Sequence, residues 1–182
     1  HNTDAEGFIR SLRADTGFDP AGRAVVILGA GGAARAVAFG LADAGIKRIT
    51  ILNRTKEKAM ELADAVARAA SIRVTGASPG PESALNGDPA PDLIVQCTSI
   101  GMSGGSEEGK APEISGLISD GTLVCDLVYN PIVTPLLRLA AARGARTLGG
   151  LSMLVHQGAA AFTLWTGRDA PTEVMERAAH RA

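Results

Sequence analysis

The most constraining feature of this chain is an unbroken apolar segment at 24–28, Ala-Val-Val-Ile-Leu, followed at once by a turn of small residues at 29–34. A run without polar positions predicts a strand buried on both faces, as in parallel sheets covered by helices. An Ala-rich stretch with helical spacing follows at 33–44, and Gly45 is placed to end that helix. Strand, glycine turn and helix in this order predict the first unit of a dinucleotide-binding domain.

The same alternation of strands and helices continues along the chain. Further strands are predicted at 48–52, 72–75, 93–95, 122–127 and 146–148, and further helices at 56–70, 135–143, 153–165 and 172–181. Polar segments rich in Gly, Pro and Ser predict loops at 76–91 and 101–112, the second of them mobile. Repeated strand–helix units predict an α/β fold, a doubly wound Rossmann-type parallel sheet with right-handed crossovers and C-terminal helices.

The glycine turn has the composition that a pyrophosphate-binding turn requires. Gly29 permits a tight turn, Gly31 lets the backbone approach a phosphate closely, and Ala34 is small enough for close packing of helix on strand. The free N–H groups and the dipole at the helix start favour an anion. The alternative is a tight turn that binds nothing. We therefore predict cofactor contacts from Gly29, Ala30, Gly31, Gly32 and Ala33.

The end of the second predicted strand selects the dinucleotide. NAD-binding domains usually carry an acidic residue about 20 residues after the turn, to bind the ribose hydroxyls. This chain has Asn53, Arg54 and Thr55 there instead, with Lys58 one helical turn further on. An arginine fork with neighbouring hydrogen-bond donors suits a 2′-phosphate, whereas an acid would repel it. The sequence thus predicts NADP(H); the alternative is that Arg54 and Lys58 are ordinary surface charges.

Composition excludes several other classes of protein. The chain has 182 residues, 18 basic and 19 acidic, and a net charge of −1, which predicts neither a nucleic-acid nor a membrane partner. Cys97 and Cys125 lie in apolar runs and are predicted to be small buried residues, not a disulfide framework. The histidines, at 1, 156 and 180, lack metal-ligand spacing. Without a signal peptide or a membrane-length apolar run, the expected location is the cytoplasm.

Five stretches, in one order along the chain, together resemble the shikimate dehydrogenase family. They are the opening segment 1–8 with Asn2-Thr3-Asp4, the glycine turn with Asn53-Arg54-Thr55, the segment 98–102, the segment 126–137, and the segment 150–159 continuing to Phe162 and Trp165. The chain departs from the family pattern before Thr98, where Gln96-Cys97 replaces Asn-Ala. This replacement leaves the role of the side chain at position 96 open.

The resemblance implies NADP-dependent reduction of 3-dehydroshikimate to shikimate, in aromatic amino-acid biosynthesis. It also implies a two-domain enzyme in which a first domain supplies most of the substrate pocket and a catalytic lysine. On this basis 1–20 is a linker helix, 21–150 the nucleotide-binding core and 151–182 the C-terminal helices. The chain starts without an initiator methionine, so we expect a fragment. Because the catalytic lysine and most of the substrate pocket would lie in the other domain, we expect that the chain does not turn over alone. No oligomeric state is predicted.

Two alternative functions remain open. One is a quinate/shikimate dehydrogenase, which accepts a related ring acid. The other is a non-catalytic NADP-binding module that keeps the fold without the chemistry. Glutamyl-tRNA reductase and methylenetetrahydrofolate dehydrogenase have similar glycine turns, but the segments around Asp4 and Gln157 argue against both.

The resemblance also assigns residues on the substrate side. Asp4 matches the catalytic Asp that partners the absent lysine in moving the carbonyl proton, although an Asp near Ala5 could simply cap a helix. Tyr129 and Gln157 match residues that hydrogen-bond the substrate. The alternatives are a packed aromatic residue for Tyr129 and a structural hydrogen bond for Gln157.

Further cofactor contacts are implied at four positions. Thr98 and Ile100 follow a predicted strand and are expected near the ribose and nicotinamide. Leu127 and Gly150 match positions whose backbone meets the nicotinamide end, although Gly150 could be only a turn residue. His156 is interpreted as a helix residue, not a base. Phe162 and Trp165 lie at helical spacing and are predicted to be core.

Overall fold

Within residues 2–80 and 89–181, which the computed structural model describes, six parallel strands form one sheet in the order β3-β2-β1-β4-β5-β6. The strands are β1 (Ala24–Leu28), β2 (Arg48–Leu52), β3 (Arg73–Ala77), β4 (Leu93–Gln96), β5 (Leu123–Asp126) and β6 (Arg146–Gly149). This strand order confirms the predicted doubly wound Rossmann-type sheet. Residues 81–88, inside the predicted loop at 76–91, lie outside the described residues.

Six helices accompany the sheet in the described part of the chain. They are α1 (Thr3–Thr16), α2 (Gly32–Asp43), α3 (Lys56–Ala69), α4 (Pro135–Ala142), α5 (Gly150–Thr166) and α6 (Thr172–Ala179), with a short 3₁₀ turn at Ser115–Leu117. Helix α5 starts three residues before the predicted position, because Gly149 ends β6 and directly caps the helix. Gly45 has a positive φ of 82° just after α2 ends, as its predicted role requires.

Alternate side chains of the strands build two cores. Val25 and Ile27 face helices α1, α2 and α3, whereas Val26 and Leu28 face α4 and the segment 114–118. All four side chains are buried, as expected for a strand covered on both sides. The two layers leave the carboxyl ends of the strands at one edge of the sheet, where ligands of this architecture bind.

Helix α1 packs firmly on this domain. Phe8 and Leu12 are fully buried in the same core as β1 and β2. The guanidinium of Arg146, at the start of β6, donates a hydrogen bond to the carbonyl oxygen of Thr16 at the end of the helix. Because α1 ends beside the start of a strand, its first turn lies toward the opposite edge, where the strands end.

The prediction of a core position for Trp165 was wrong. Its side chain is 82% exposed and that of Phe162 is half-buried. Both residues lie on the last turns of α5, where the neighbouring Leu164 is also exposed. Helical spacing identifies which residues share a face, but what covers that face depends on where the helix runs past its neighbours.

The cysteines and the histidines carry no sign of a metal or disulfide site in the described part of the chain. Cys125 is buried and Cys97 is half-buried, and burial raises the pKa of both thiols. In residues 2–80 and 89–181 no group of three or more His, Cys, Asp or Glu side chains could hold a metal ion. Among the same residues, no helix has the length and apolar character needed to cross a bilayer.

Candidate functional site

A cavity of about 660 Å³ opens at the carboxyl ends of β1, β2 and β4. From β1 the chain adds β2 and β3 on one side of β1, and it then adds β4, β5 and β6 on the other side. The crevice between these two groups of strands is the topological switch point of the sheet. Eight of the predicted cofactor-binding residues line this cavity: Ala30, Gly31, Asn53, Arg54, Thr55, Lys58, Thr98 and Ile100. Gly29, Gly32 and Ala33 belong to the same turn and helix start but are not lining residues.

The glycine turn forms one wall of the cavity. Gly29 has a φ of 105° and its N–H donates to the carbonyl oxygen of Leu52 at 2.7 Å, so the turn is fixed to the end of β2. Gly31 is the N-cap of α2, with a φ of −86°, and as a glycine it offers no side chain to the first N–H groups of the helix. A Cβ on Gly31 or Gly32 would meet no protein atom within 4 Å. The protein itself does not require glycine at these two positions, whereas a phosphate approaching the uncapped N–H groups would.

The end of β2 forms a positively charged corner. Asn53 is held by its own N–H, which donates to the carbonyl oxygen of Ala77 at 3.1 Å, and by its side-chain amide, which donates to that of Thr55 at 2.9 Å. Thr55 caps α3 without using its hydroxyl. Arg54 and Lys58 are exposed, and within residues 2–80 and 89–181 neither forms an ion pair. Two cations, an uncommitted hydroxyl and a helix start suit a phosphate monoester.

Sequence reasoning missed several lining residues. Ser78 and Pro79 follow β3, and Glu107 and Glu113 come from the loop after β4. The position of Ser78 was inferable, because β3 pairs with β2 and ends at the same edge. The two acidic side chains come from a loop whose path no periodicity predicts.

The other wall is the turn after β4, which Gln96 organises. The fully buried Gln96 side chain accepts hydrogen bonds at Oε1 from the N–H of Thr98 at 3.2 Å and from its hydroxyl at 3.0 Å. Its Nε2 donates to the carbonyl oxygen of Ile100 at 3.4 Å. The side chain whose role was open in the sequence therefore holds the two residues predicted to line the cofactor.

Leu127 and Gly150 meet at the ends of β5 and β6, outside the lining of the cavity. The N–H of Leu127 donates to the carbonyl oxygen of Gln96 at 3.0 Å. A Cβ on Gly150 would lie 2.3 Å from the carbonyl oxygen of Leu127, so only glycine fits. Gly150 is the first residue of α5, which explains its identity by packing and replaces its interpretation as a turn residue.

Asp126 holds the segment that carries Tyr129. Its carboxylate accepts from the N–H of Val128 at 3.0 Å and from the hydroxyl of Thr134 at 2.6 Å, which clamps both ends of 127–134. Burial raises the pKa of Asp126 to about 6, partly offset by these two hydrogen bonds. Tyr129 is 51% exposed, so it is not a packed aromatic residue. Asp126 was missed as a structural residue, although an acid ending an apolar run was a usable signal.

Helix α1 crosses α5 at Gly7 and Gln157, one helical turn after Asp4. A Cβ on Gly7 would lie 2.6 Å from the Cβ of Gln157, and Asp4 precedes Gly7 by one helical turn on the same face. The helix is capped by Asn2, whose side-chain oxygen accepts from the N–H of Asp4 at 3.0 Å, so the alternative of Asp4 as the cap was wrong. In the described part of the chain the side chain of Gln157 makes no hydrogen bond, which leaves its amide available.

Comparisons with known proteins agree with this arrangement. The family model described as shikimate / quinate 5-dehydrogenase matches residues 13–77, and that of the shikimate 5′-dehydrogenase C-terminal domain matches residues 150–180. The chain is 50% identical over 182 residues to "Shikimate dehydrogenase (NADP(+))" of Moorella thermoacetica, covering all of this chain and 61% of that protein. The chain thus spans about three-fifths of the length of the curated relatives it matches.

Two crystal structures show the same fold. The ligand-free 5-ketofructose reductase of Gluconobacter sp. strain CHM43 superposes with a TM-score of 0.85 at 38% identity, over 100% of this chain and 63% of that chain. The shikimate 5-dehydrogenase of Thermus thermophilus, in complex with NADP(H) and shikimate, gives 0.78 at 38% identity, over 99% and 62%. Two family models matched in order, and a relative half identical along the whole of this chain, show that the chain is similar to shikimate dehydrogenases over about three-fifths of their length.

Proposed function

We propose that the cavity binds NADP(H) in preference to NAD(H). The observation that carries the proposal is the corner at the end of β2, where Arg54 and Lys58 are without ion pairs in the described part of the chain and the Thr55 hydroxyl is uncommitted. A 2′-phosphate would complete that corner, and the pyrophosphate would lie against the uncapped start of α2 at Gly31. The names of the curated relatives, which specify NADP(+), support the same cofactor.

We infer that the reaction is the reversible, NADP-dependent oxidation of shikimate to 3-dehydroshikimate. Bound NADP(H) supplies or accepts a hydride at the nicotinamide. Tyr129 and Gln157 hydrogen-bond the ring hydroxyls of the substrate. Asp4 orients the reacting hydroxyl and moves its proton together with a lysine from another domain. The backbone of Leu127 and Gly150 shapes the nicotinamide end of the site.

The proposed site is completed by a substrate domain that corresponds to the part of the relatives this chain does not match. In that arrangement 1–20 is a linker helix, 21–150 the nucleotide-binding core and 151–182 the C-terminal helices. The exposed phenol of Tyr129 and the uncommitted amide of Gln157 are the groups such a domain would enclose with the substrate. An enzyme of this kind, with two free cysteines, fits the cytoplasm.

Titration of the chain with NADPH and NADH tests the cofactor. We expect NADPH to bind at least about tenfold more tightly, since charge-assisted bonds to the 2′-phosphate are absent with NADH. Fluorescence of the bound nicotinamide gives both affinities. Equal affinities would contradict the proposed preference.

A chimera tests the reaction. The part of the Moorella thermoacetica relative that this chain does not match is fused to the chain, and NADP⁺ reduction is followed with shikimate and with quinate. We expect oxidation of shikimate by the chimera and none by the chain alone. Faster oxidation of quinate would favour the quinate alternative. NADPH binding without either oxidation would favour a non-catalytic module.

A further inference from the structure

Gln96 occupies a position from which one side chain can control the nicotinamide half of the cavity, which is the part lined by Thr98 and Ile100. It is the last residue of β4 and lies between Leu28 of β1 and Asp126 of β5 in the register of the sheet. Leu28 leads directly into the glycine turn and Asp126 into the segment of Tyr129. Gln96 itself borders the cavity, but its side chain is fully buried and is hydrogen-bonded to its neighbours.

The amide of Gln96 closes the segment 97–100 around itself. Its Oε1 accepts both hydrogen bonds from Thr98, and its Nε2 donates to the carbonyl oxygen of Ile100. The hydroxyl of Thr98 in turn accepts from the N–H of Ile100 at 3.2 Å. These four hydrogen bonds fix the conformation of the two residues that line the cavity on this side.

The segment held by Gln96 sets the separation of the two walls. A Cβ on Gly29 would lie 3.0 Å from Cγ2 of Thr98 and 3.3 Å from the carbonyl oxygen of Cys97, so the segment is packed against the glycine turn. The glycine turn is anchored separately, through the bond from Gly29 to Leu52. Release of Gln96 would therefore let the segment move while the turn stays in place.

The chemistry at this point requires a donor and an acceptor on one side chain. A leucine would leave the N–H and hydroxyl of Thr98 and the carbonyl oxygen of Ile100 without their partner. A glutamate would still accept hydrogen bonds from Thr98, but one of its oxygens would face the carbonyl oxygen of Ile100. It would also place a second carboxylate beside Asp126. A glutamine meets all three requirements without charge.

We propose that Gln96 is a positioning residue for the nicotinamide half of the cofactor. It presets Thr98 and Ile100 against the glycine turn, while the adenosine half is bound independently at Arg54. The inference rests on the proposed binding of NADP(H). It gives a role to the side chain of Gln96, which stands where the pattern of the family has Asn.

The test compares two probes on the same chain. NADPH spans both halves of the cavity, whereas adenosine 2′,5′-bisphosphate reaches only the adenosine half. For Gln96→Leu we expect NADPH affinity to fall about tenfold and bisphosphate affinity to stay within about twofold, because only the first needs the preset segment. For Gln96→Glu we expect a smaller loss of NADPH affinity, since the bonds from Thr98 remain.

A matched control is Thr122→Val. Thr122 is as deeply buried and its hydroxyl is also hydrogen-bonded, to Ser119 and Pro91, but it lies at the opposite edge of the sheet. It should lower the unfolding temperature without changing either affinity.

Three results would overturn the inference. One is unchanged NADPH affinity in both Gln96 variants, and another is an equal loss for both probes, which would show a general structural effect. The third is a loss in the control that matches that of Gln96→Leu. If Gln96→Leu does not fold, Gln96→Glu decides the matter by the same comparison of probes. Failure of the unaltered chain to bind NADPH at all would instead contradict the proposed function.

Discussion

The two halves of the cavity present different groups to the proposed NADP(H). At the adenosine half, Arg54 and Lys58 are exposed side chains on the surface of a turn and a helix. At the proposed nicotinamide half, Thr98 and Ile100 line the cavity and are held by the buried Gln96. The buried Asp126 holds the neighbouring segment 127–134. Substitutions at the first half should therefore change affinity and leave stability unaltered, whereas substitutions of the buried residues at the second should also lower stability.

The largest effect is expected at Asp126, whose folded pKa of about 6 lies above the ordinary value of an Asp in an unfolded chain. Because the folded state binds the extra proton, the contribution of Asp126 to stability is greatest at low pH and is lost as pH rises from about 4 to about 6. In Asp126→Asn this dependence disappears. The unfolding free energy of the wild type minus that of the variant should fall by up to about 3 kcal/mol as pH rises from about 4 to about 6.

Denaturant unfolding at several pH values measures this difference. The exposed Asp64→Asn, on α3, is the control for the removal of one carboxylate elsewhere in the chain. If the unfolding free energy of the wild type minus that of Asp126→Asn rises with pH, the fold stabilises the Asp126 carboxylate. The buried half would then not differ from the exposed half in the way described above.

The next effect is expected for Gly150→Ala. The added methyl group would lie 2.3 Å from the carbonyl oxygen of Leu127, so the start of α5 must move away from β5. We expect a loss of about 1–3 kcal/mol in unfolding free energy, as for other overpacked sites. Gly116→Ala, where a Cβ would meet no atom within 4 Å, is the control and should be near neutral. Equal thermal stability of the two variants would refute the close contact.

A smaller effect, and one on affinity alone, is expected for Arg54→Ala. Loss of charge-assisted bonds to the 2′-phosphate should weaken NADPH binding by about 2 kcal/mol and leave NADH binding unchanged. Arg68→Ala, an exposed arginine on the last turn of α3, should bind both as the wild type does. Parallel titrations with NADPH and NADH measure both affinities. An equal loss of affinity for the two dinucleotides would show that Arg54 does not bind the 2′-phosphate.

The smallest effect is expected for Lys58→Ala. Lys58 is exposed and one turn further along α3, where solvent screens its charge. NADPH affinity should fall by only about 0.5 kcal/mol, and the loss should shrink as salt is added. Calorimetric titration at two salt concentrations checks both points. A loss as large as that of Arg54→Ala would place the phosphate nearer to Lys58.

The sequence was sufficient to predict the sheet and the residues that gather at the end of β2, because both depend on local signals. The apolar run at 24–28, the glycine turn and Arg54 each act through neighbours close in the chain. Their positions in the structure follow from where one strand ends and the next helix begins.

The nicotinamide half depends instead on which strands are neighbours. The clamp of Gln96 on Thr98 is local, but its effect on the cavity requires β4 to lie beside β1. The reason for glycine at 150 requires Leu127 to lie against it, and the position of Asp4 requires α1 to cross α5 at Gln157. Such contacts join residues far apart in sequence and have no periodicity that predicts them.

Trp165 has an optical consequence. It is the only tryptophan of the chain, and with 82% of its side chain exposed its indole should emit as a water-surrounded fluorophore. Because it lies at the far end of α5 and is not among the lining residues, the wavelength of its emission reports on whatever covers that end of the helix. A blue shift in the chimera relative to the isolated chain would signal docking of the substrate domain before any turnover is measured.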